Sequence, residues 1–99
     1  MDLGLKDKTV VITGGGSNIG RGIVHAFAAE GAKIIIAELA PDQGEKVRAE
    51  IQSIDPNVQI KVIPTDVTDQ RQVESMIEEG INTFGQIDCL INNLSLIHI

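Results

Sequence analysis

The sequence predicts an α/β protein: the N-terminal part of a doubly wound parallel sheet with strand order 3-2-1-4, three-layer αβα in an intact parent. Three observations predict it. Four short apolar runs alternate with amphipathic stretches of helical period. Each run reads as buried on both faces, as parallel strands between helices must be. The connections are only a few residues long, and a glycine cluster separates the first run from the first amphipathic stretch.

Each element has its own signal. Thr9-Val-Val-Ile-Thr13 is a β-branched run between Lys8 and the glycines, and reads as a strand. From Ile19 to Glu30, the apolar Ile19, Ile23, Ala26 and Phe27 fall at helical spacing, and Gly31 stands where a helix C-cap belongs. Lys33-Ile-Ile-Ile-Ala37 is a second strand. Pro41-Asp42 opens a polar helix with Val47, Ile51 and Ile54 on one side, ended by Pro56. Gln59 to Ile63 forms a third strand before Pro64. Thr68-Asp69 offers an N-cap to a helix whose apolar face is Val73, Met76, Ile77, Ile81 and Phe84, running to Gly85. Ile87-Asp-Cys-Leu-Ile91 is the fourth strand. In strand order 3-2-1-4 the first two helices lie on one face and the third on the other, and strand four is an open edge. The isolated chain is therefore expected to be marginally stable, to expose apolar surface and to self-associate.

Composition narrows the class. Ninety-nine residues are one domain's worth of chain at most. Two aromatic residues, Phe27 and Phe84, leave an aliphatic core, and there is no Trp or Tyr. A net charge of −6 without a basic run disfavours nucleic acid and anionic membranes. The single Cys89 cannot form an internal disulfide. No apolar run approaches the roughly 20 residues of a membrane span, and the N-terminus lacks a signal peptide's apolar stretch. The expectation is a cytoplasmic protein.

Thr13-Gly14-Gly15-Gly16-Ser17-Asn18-Ile19-Gly20 carries the most information. Glycines at a strand–helix turn let the backbone approach a ligand, and the free N–H groups opening the next helix face a phosphate. The strict G-x-G-x-x-G spacing fails, because its last position falls on Ile19. A triphosphate loop fails too: Arg21-Gly22 stands where Lys-Ser/Thr is required. The stretch resembles the T-G-x-x-x-G-x-G turn of the short-chain dehydrogenases/reductases. Thr13, Gly14, Ile19 and Gly20 match, while Asn18 replaces the middle glycine. Asn is the side chain that best tolerates positive φ. A plain glycine-rich turn without a ligand is the alternative.

Glu38 ends strand two, 18 residues after Gly20, near the spacing of about 20 at which an acidic residue accepts the ribose hydroxyls of a dinucleotide. It would repel a 2′-phosphate, and no basic residue follows at Leu39 or Ala40 or occupies Ser17, so NAD is expected over NADP. Otherwise Glu38 is a solvated carboxylate. Asp66-Val67 follows strand three. The resemblance implies that Asp66 bonds the adenine amine and Val67 flanks the ring; read alone, Asp66 is equally a turn or cap residue. Asn92-Asn93 resembles the first half of the family's N-N-A-G motif. It implies that Asn92 ties the sheet together and Asn93 lies near the nicotinamide ribose, the alternative being a polar strand end.

The resemblance covers residues 5 to 93 and implies a Rossmann-like dinucleotide-binding domain. Its cofactor-binding residues would be Gly14, Ser17, Asn18, Ile19, Gly20, Glu38, Asp66, Val67 and Asn93. It also implies a homo-oligomeric parent moving hydride between nicotinamide and a carbonyl or secondary alcohol. The family's catalytic Ser and Tyr-x-x-x-Lys come later, and this sequence contains no Tyr. No catalytic residue is named and the fragment is expected to be inactive. A non-catalytic NAD-binding sensor or scaffold is the alternative, and an epimerase or dehydratase of the extended relatives is a third reading. Cys89 reads as an inert core thiol, His25 as a helix-surface or packing residue, and Glu78-Glu79 as a solvated face. No metal cluster is expected.

Leu94 to Ile99 breaks the resemblance. The hexapeptide can be written CTG TCT CTT ATA CAC ATC, which resembles the transposase adapter of sequencing libraries. The domain is accordingly expected to span 1–93, with 94–99 a non-native tail.

Overall fold

The computed structural model describes residues 4–14 and 18–92. In chain order the elements are β1 (Thr9–Thr13), α1 (Asn18–Ala29), β2 (Lys33–Glu38), α2 (Pro41–Ile54), β3 (Ile60–Pro64), α3 (Gln70–Phe84) and β4 (Cys89–Asn92). The strands form one parallel sheet in the order β3-β2-β1-β4. This is the predicted α/β, Rossmann-like arrangement.

The pleat divides the core in two. Val10, Ile12, Ile34 and Ile36 face one way and pack with Val24 and Ala28 of α1 and Val47 and Ile51 of α2. Val11, Ile35, Ala37 and Ile63 face the other way, against Met76 of α3. So α1 and α2 share one face and α3 holds the other. Right-handed crossovers require this once the chain, after β3, returns past β1 to β4. Burying each Val or Ile of β1 and β2 contributes roughly 1.5–3 kcal/mol, which makes these two strands the stable centre.

The helix ends follow local chemistry. Pro41 starts α2, where a missing N–H costs nothing. The Asp69 carboxylate caps α3 by accepting from the Arg71 N–H at 3.0 Å. Gly85 closes α3 at φ 89°, and Gly31 turns the chain after α1 at φ 83°, left-handed positions that favour glycine.

Several details differ from expectation. β4 is not buried on both faces: its residues alternate half-buried and exposed, and Leu90 is 57% exposed. Leu90 lies on the α3 face beside Val11, but α3 sits over β2, so none of the described helices covers β4 there. Cys89 consequently lies in a half-buried strand, packed from the side against the core. Ile77 and Ile81 of the predicted α3 face are partly exposed, because the helix packs on the sheet through Val73, Met76, Gly80 and Phe84, and Ile77 and Ile81 flank that stripe. On α1, Val24 and Ala28 point inward while Ile19 is 72% exposed. Ile54, in the last turn of α2, is 73% exposed. β3 and β4 also begin and end slightly later than predicted.

Candidate functional site

The carboxyl ends of all four strands lie along one edge, and that edge gathers most of the predicted residues. β1 stops at Thr13, and Gly14 takes φ 64° while its N–H donates to the Ala37 carbonyl at 3.0 Å. This bond holds the start of the glycine turn against the end of β2. The turn itself, with Ser17, lies outside the described residues, as do Asn93 and the 94–99 tail. The backbone of Asn18 opens α1. Gly20 is buried, whereas the Ile19 side chain faces outward. Ile19 can therefore offer a ligand its backbone but not an apolar wall.

Glu38 is the last residue of β2. Its carbonyl accepts from the Thr65 N–H at 3.0 Å, and its Oε2 accepts from the Leu39 N–H at 3.1 Å. Gly14, Glu38, Leu39, Thr65, Asp66 and Val67 line one cavity of about 190 Å³. The Thr65 hydroxyl donates to the Ile63 carbonyl at 2.9 Å. A larger groove of about 500 Å³ runs along β3 past Arg48, Lys61 and Phe84. It is away from the strand ends, where open α/β sheets take their ligands, so the smaller cavity is the candidate.

Asp66 takes the turn role that was one of its two predicted readings. Its Oδ1 accepts from the Thr68 hydroxyl at 2.6 Å and from the Thr68 N–H at 2.9 Å, a turn that prepares the α3 cap. Those bonds, the hydroxyl first, hold the carboxyl below its ordinary range. The group is thus a carboxylate at neutral pH, and Oδ2 takes no hydrogen bond among the described residues. Meanwhile the Asp66 N–H donates to Gln72 Oε1 at 2.8 Å, fixing the loop to the first turn of α3. Val67 stands half-buried beside it.

On the far side of β1, the Thr13 hydroxyl donates to Asn92 Oδ1 at 3.1 Å. The two residues are also register partners, so the ends of β1 and β4 are tied by side chain as well as backbone.

A side-chain cluster went unnoticed in the sequence. Arg21 and His25 of α1 both meet Glu50 of α2. The spacing of Arg21 and His25 places them on one helix face, but Glu50 is identifiable only once α1 and α2 are docked. Among the described residues no group of His, Cys, Asp and Glu could hold a metal. None of the described helices is long and apolar enough to cross a membrane.

A parallel sheet ordered β3-β2-β1-β4, with helices on both faces, defines the class of doubly wound, Rossmann-like α/β proteins. Within that class the chain belongs to the short-chain dehydrogenase family, whose model matches residues 8–98. Levodione reductase of Leifsonia aquatica is 34% identical over 90 residues, which cover 91% of this chain and 34% of that protein. The crystal structure of hydroxysteroid dehydrogenase from Escherichia coli superposes with a TM-score of 0.85 at 30% identity, over 92% of this chain and 38% of that one. The 3-ketoacyl-(acyl-carrier-protein) reductase of Brucella melitensis, crystallised with NADH, gives 0.76 at 30% identity, over 87% of this chain and 33% of that one. The chain spans about a third of the length of the curated relatives it matches. An oxidoreductase family is thereby established.

Proposed function

We propose that this chain is the dinucleotide-binding portion of an NAD-dependent short-chain dehydrogenase/reductase. The observation that carries the reading is the single cavity joining Gly14, Glu38, Asp66 and Val67 at the ends of three adjacent strands. At about 190 Å³ it is smaller than the roughly 300–1,000 Å³ of a whole ligand pocket. It fits one end of a dinucleotide, with apolar walls for a purine and carboxylates for hydroxyl and amine donors. NAD, when bound, supplies a hydride acceptor at its nicotinamide. The chain's own residues bind and orient. Gly14, Ser17, Asn18, Ile19 and Gly20 present backbone to the pyrophosphate. Glu38 accepts from the adenosine ribose, Asp66 from the adenine amine, and Val67 covers the ring. Asn93 stands beside the nicotinamide ribose. In the whole enzyme the substrate is a carbonyl or secondary alcohol.

Calorimetric titration with NAD and NADP tests the reading. Glu38 repels a 2′-phosphate, so NAD binds more tightly, and Glu38→Gln narrows the gap by about tenfold, the worth of one charge-assisted hydrogen bond. NADP binding more tightly than NAD to the unaltered chain would remove Glu38 from its role.

A further inference from the structure

In the loop after β3, the backbone of Asp66 is held at both of its polar atoms. Its N–H donates to Gln72 Oε1 at 2.8 Å, and its carbonyl accepts from the Asp69 N–H at 3.0 Å. The Gln72 amide is itself oriented, since its Nε2 donates to Asp69 Oδ2 at 3.3 Å and leaves the oxygen to Asp66. One residue earlier, the Thr65 N–H donates to the Glu38 carbonyl at 3.0 Å and fastens the loop to β2. With the backbone fixed, the freedom left at Asp66 is the rotation of its side chain, about three staggered wells at χ1.

Thr68 removes that freedom. Its N–H and its hydroxyl both donate to Oδ1, at 2.9 and 2.6 Å, so one oxygen of the carboxylate is pinned. The other, Oδ2, takes no hydrogen bond among the described residues. The hydroxyl is not needed to start α3. That helix is capped by Asp69, whose Oδ1 accepts from the Arg71 N–H at 3.0 Å, and Thr68 is itself exposed. Asp66 and Thr68 both line the cavity shared with Gly14 and Glu38. A carboxylate with one oxygen occupied and its rotation stopped is an acceptor of set direction. Ordering it in advance spares that cost when a ligand binds. The same two bonds favour the ionised form, which is the form that only accepts.

We propose that Thr68 is a positioning residue: its hydroxyl fixes the Asp66 carboxylate so that Oδ2 accepts from the exocyclic amine of a purine. Selectivity for aminopurines over purines lacking the amine then depends on Thr68. The inference rests on the adenine-binding role proposed above for Asp66 and adds the residue that makes that role directional. A carboxylate released by the hydroxyl divides its time among its rotamer wells. The loss is therefore at most about threefold, and it is confined to ligands that carry the amine.

The test is calorimetric titration of the 99-residue chain with adenosine and with purine riboside, which differs only in lacking the amine. Thermal melts of each variant accompany it. The unaltered chain binds adenosine more tightly than purine riboside. Thr68→Val weakens adenosine by about two- to threefold and leaves purine riboside within about 1.5-fold. Thr68→Ser keeps the hydroxyl and binds both ligands as the unaltered chain does. Where Thr68→Val melts early, Thr68→Ala carries the same comparison. An equal loss for both ligands, the mark of a loosened loop, overturns the positioning role. So does no loss for either, or a Thr68→Ser chain that behaves like Thr68→Val. An unaltered chain that binds neither ligand, or binds adenosine no more tightly than purine riboside, shows that Asp66 does not read the amine; the role of Thr68 then falls with that reading. Normal discrimination by the unaltered chain that persists in Thr68→Val removes the role of Thr68 alone.

Discussion

Gly80 offers the sharpest test of how α3 sits on the sheet. An ideal Cβ built on Gly80 would lie 2.5 Å from Ile35 Cδ1 and 3.2 Å from Ile87 Cδ1. Comfortable carbon–carbon contact begins near 3.5 Å. Gly80→Ala gains up to about 1 kcal/mol of helix propensity and meets an overpacking cost of about 1–3 kcal/mol. The obstructing atom ends a flexible side chain, but Ile35 is wholly buried and its relief displaces neighbours. The net expectation is a loss of about 1 kcal/mol, or roughly 4–8 °C in Tm for a chain this size. Gly22 of α1 supplies the control. A Cβ there meets nothing within 4 Å, so Gly22→Ala stabilises by about 0.5–1 kcal/mol. Ile35→Val deletes the obstructing methyl and alone costs about 0.5–1.5 kcal/mol. Combined with Gly80→Ala it recovers most of that variant's loss, a coupling of about 1 kcal/mol in the double-mutant cycle. Circular-dichroism melts of the four species decide it. A Gly80→Ala chain melting at or above the unaltered protein, or a strictly additive cycle, would refute the packing.

Two further outcomes follow from the lower edge of the sheet. Thr9 is wholly buried and its Oγ1 has no hydrogen-bond partner among the described residues, so Thr9→Val should stabilise by about 1 kcal/mol. Urea unfolding at unchanged m-value reads this, and a lowered midpoint would contradict it. Asp88 Oδ2 accepts from the Thr9 N–H at 2.8 Å, and that bond foremost, with Lys8 and Lys33 adding attraction, holds its carboxyl below the ordinary range. A carboxyl depressed in the folded state binds fewer protons there than when unfolded. Its stabilisation is therefore complete above about pH 4 and is lost as pH falls through the lower folded value. Asp88→Asn should flatten the decline in Tm between about pH 5 and 2; an equally steep decline would assign acid sensitivity to Asp66 and Glu50 instead.

The sheet was legible because its evidence is local. Val10 to Ile12 and Ile34 to Ile36 are β-branched runs that suit only a doubly covered strand, and short connections allow only helical crossovers between parallel neighbours. Ile87 to Ile91 looks alike in sequence, yet Leu90 is exposed, because burial depends on what neighbouring elements cover. Ile77 and Ile81 mislead for the same reason: helical spacing marks an apolar face, but which of its residues are buried depends on the packing of Met76 and Gly80 against the sheet. Glu38 and Asp66 were legible from position, since a strand end needs no tertiary knowledge to locate. Of the two readings of Asp66, the bonds from Thr68 show the turn role, which leaves Oδ2 without a hydrogen bond among the described residues. Glu50 was not legible. Its partners lie 25 and 29 residues earlier, and only the apolar contact between α1 and α2 brings them within reach.

The site's location follows from the placement of β1. This strand pairs on both edges and is covered on both faces, so its carboxyl end must open in the middle of the sheet. There the chain leaves for α1 on one face, while the connection through α3 returns on the other. The elements diverge, and a crevice is unavoidable whatever residues line it. Chemistry then enters from short segments at three neighbouring ends: Gly14 against Ala37, Glu38 against Thr65, and Asn92 against Thr13. Each of these contacts also fastens adjacent strands. The groups proposed to hold the ligand are thus fixed by the bonds that define the sheet, and a rigid core with little side-chain freedom positions them.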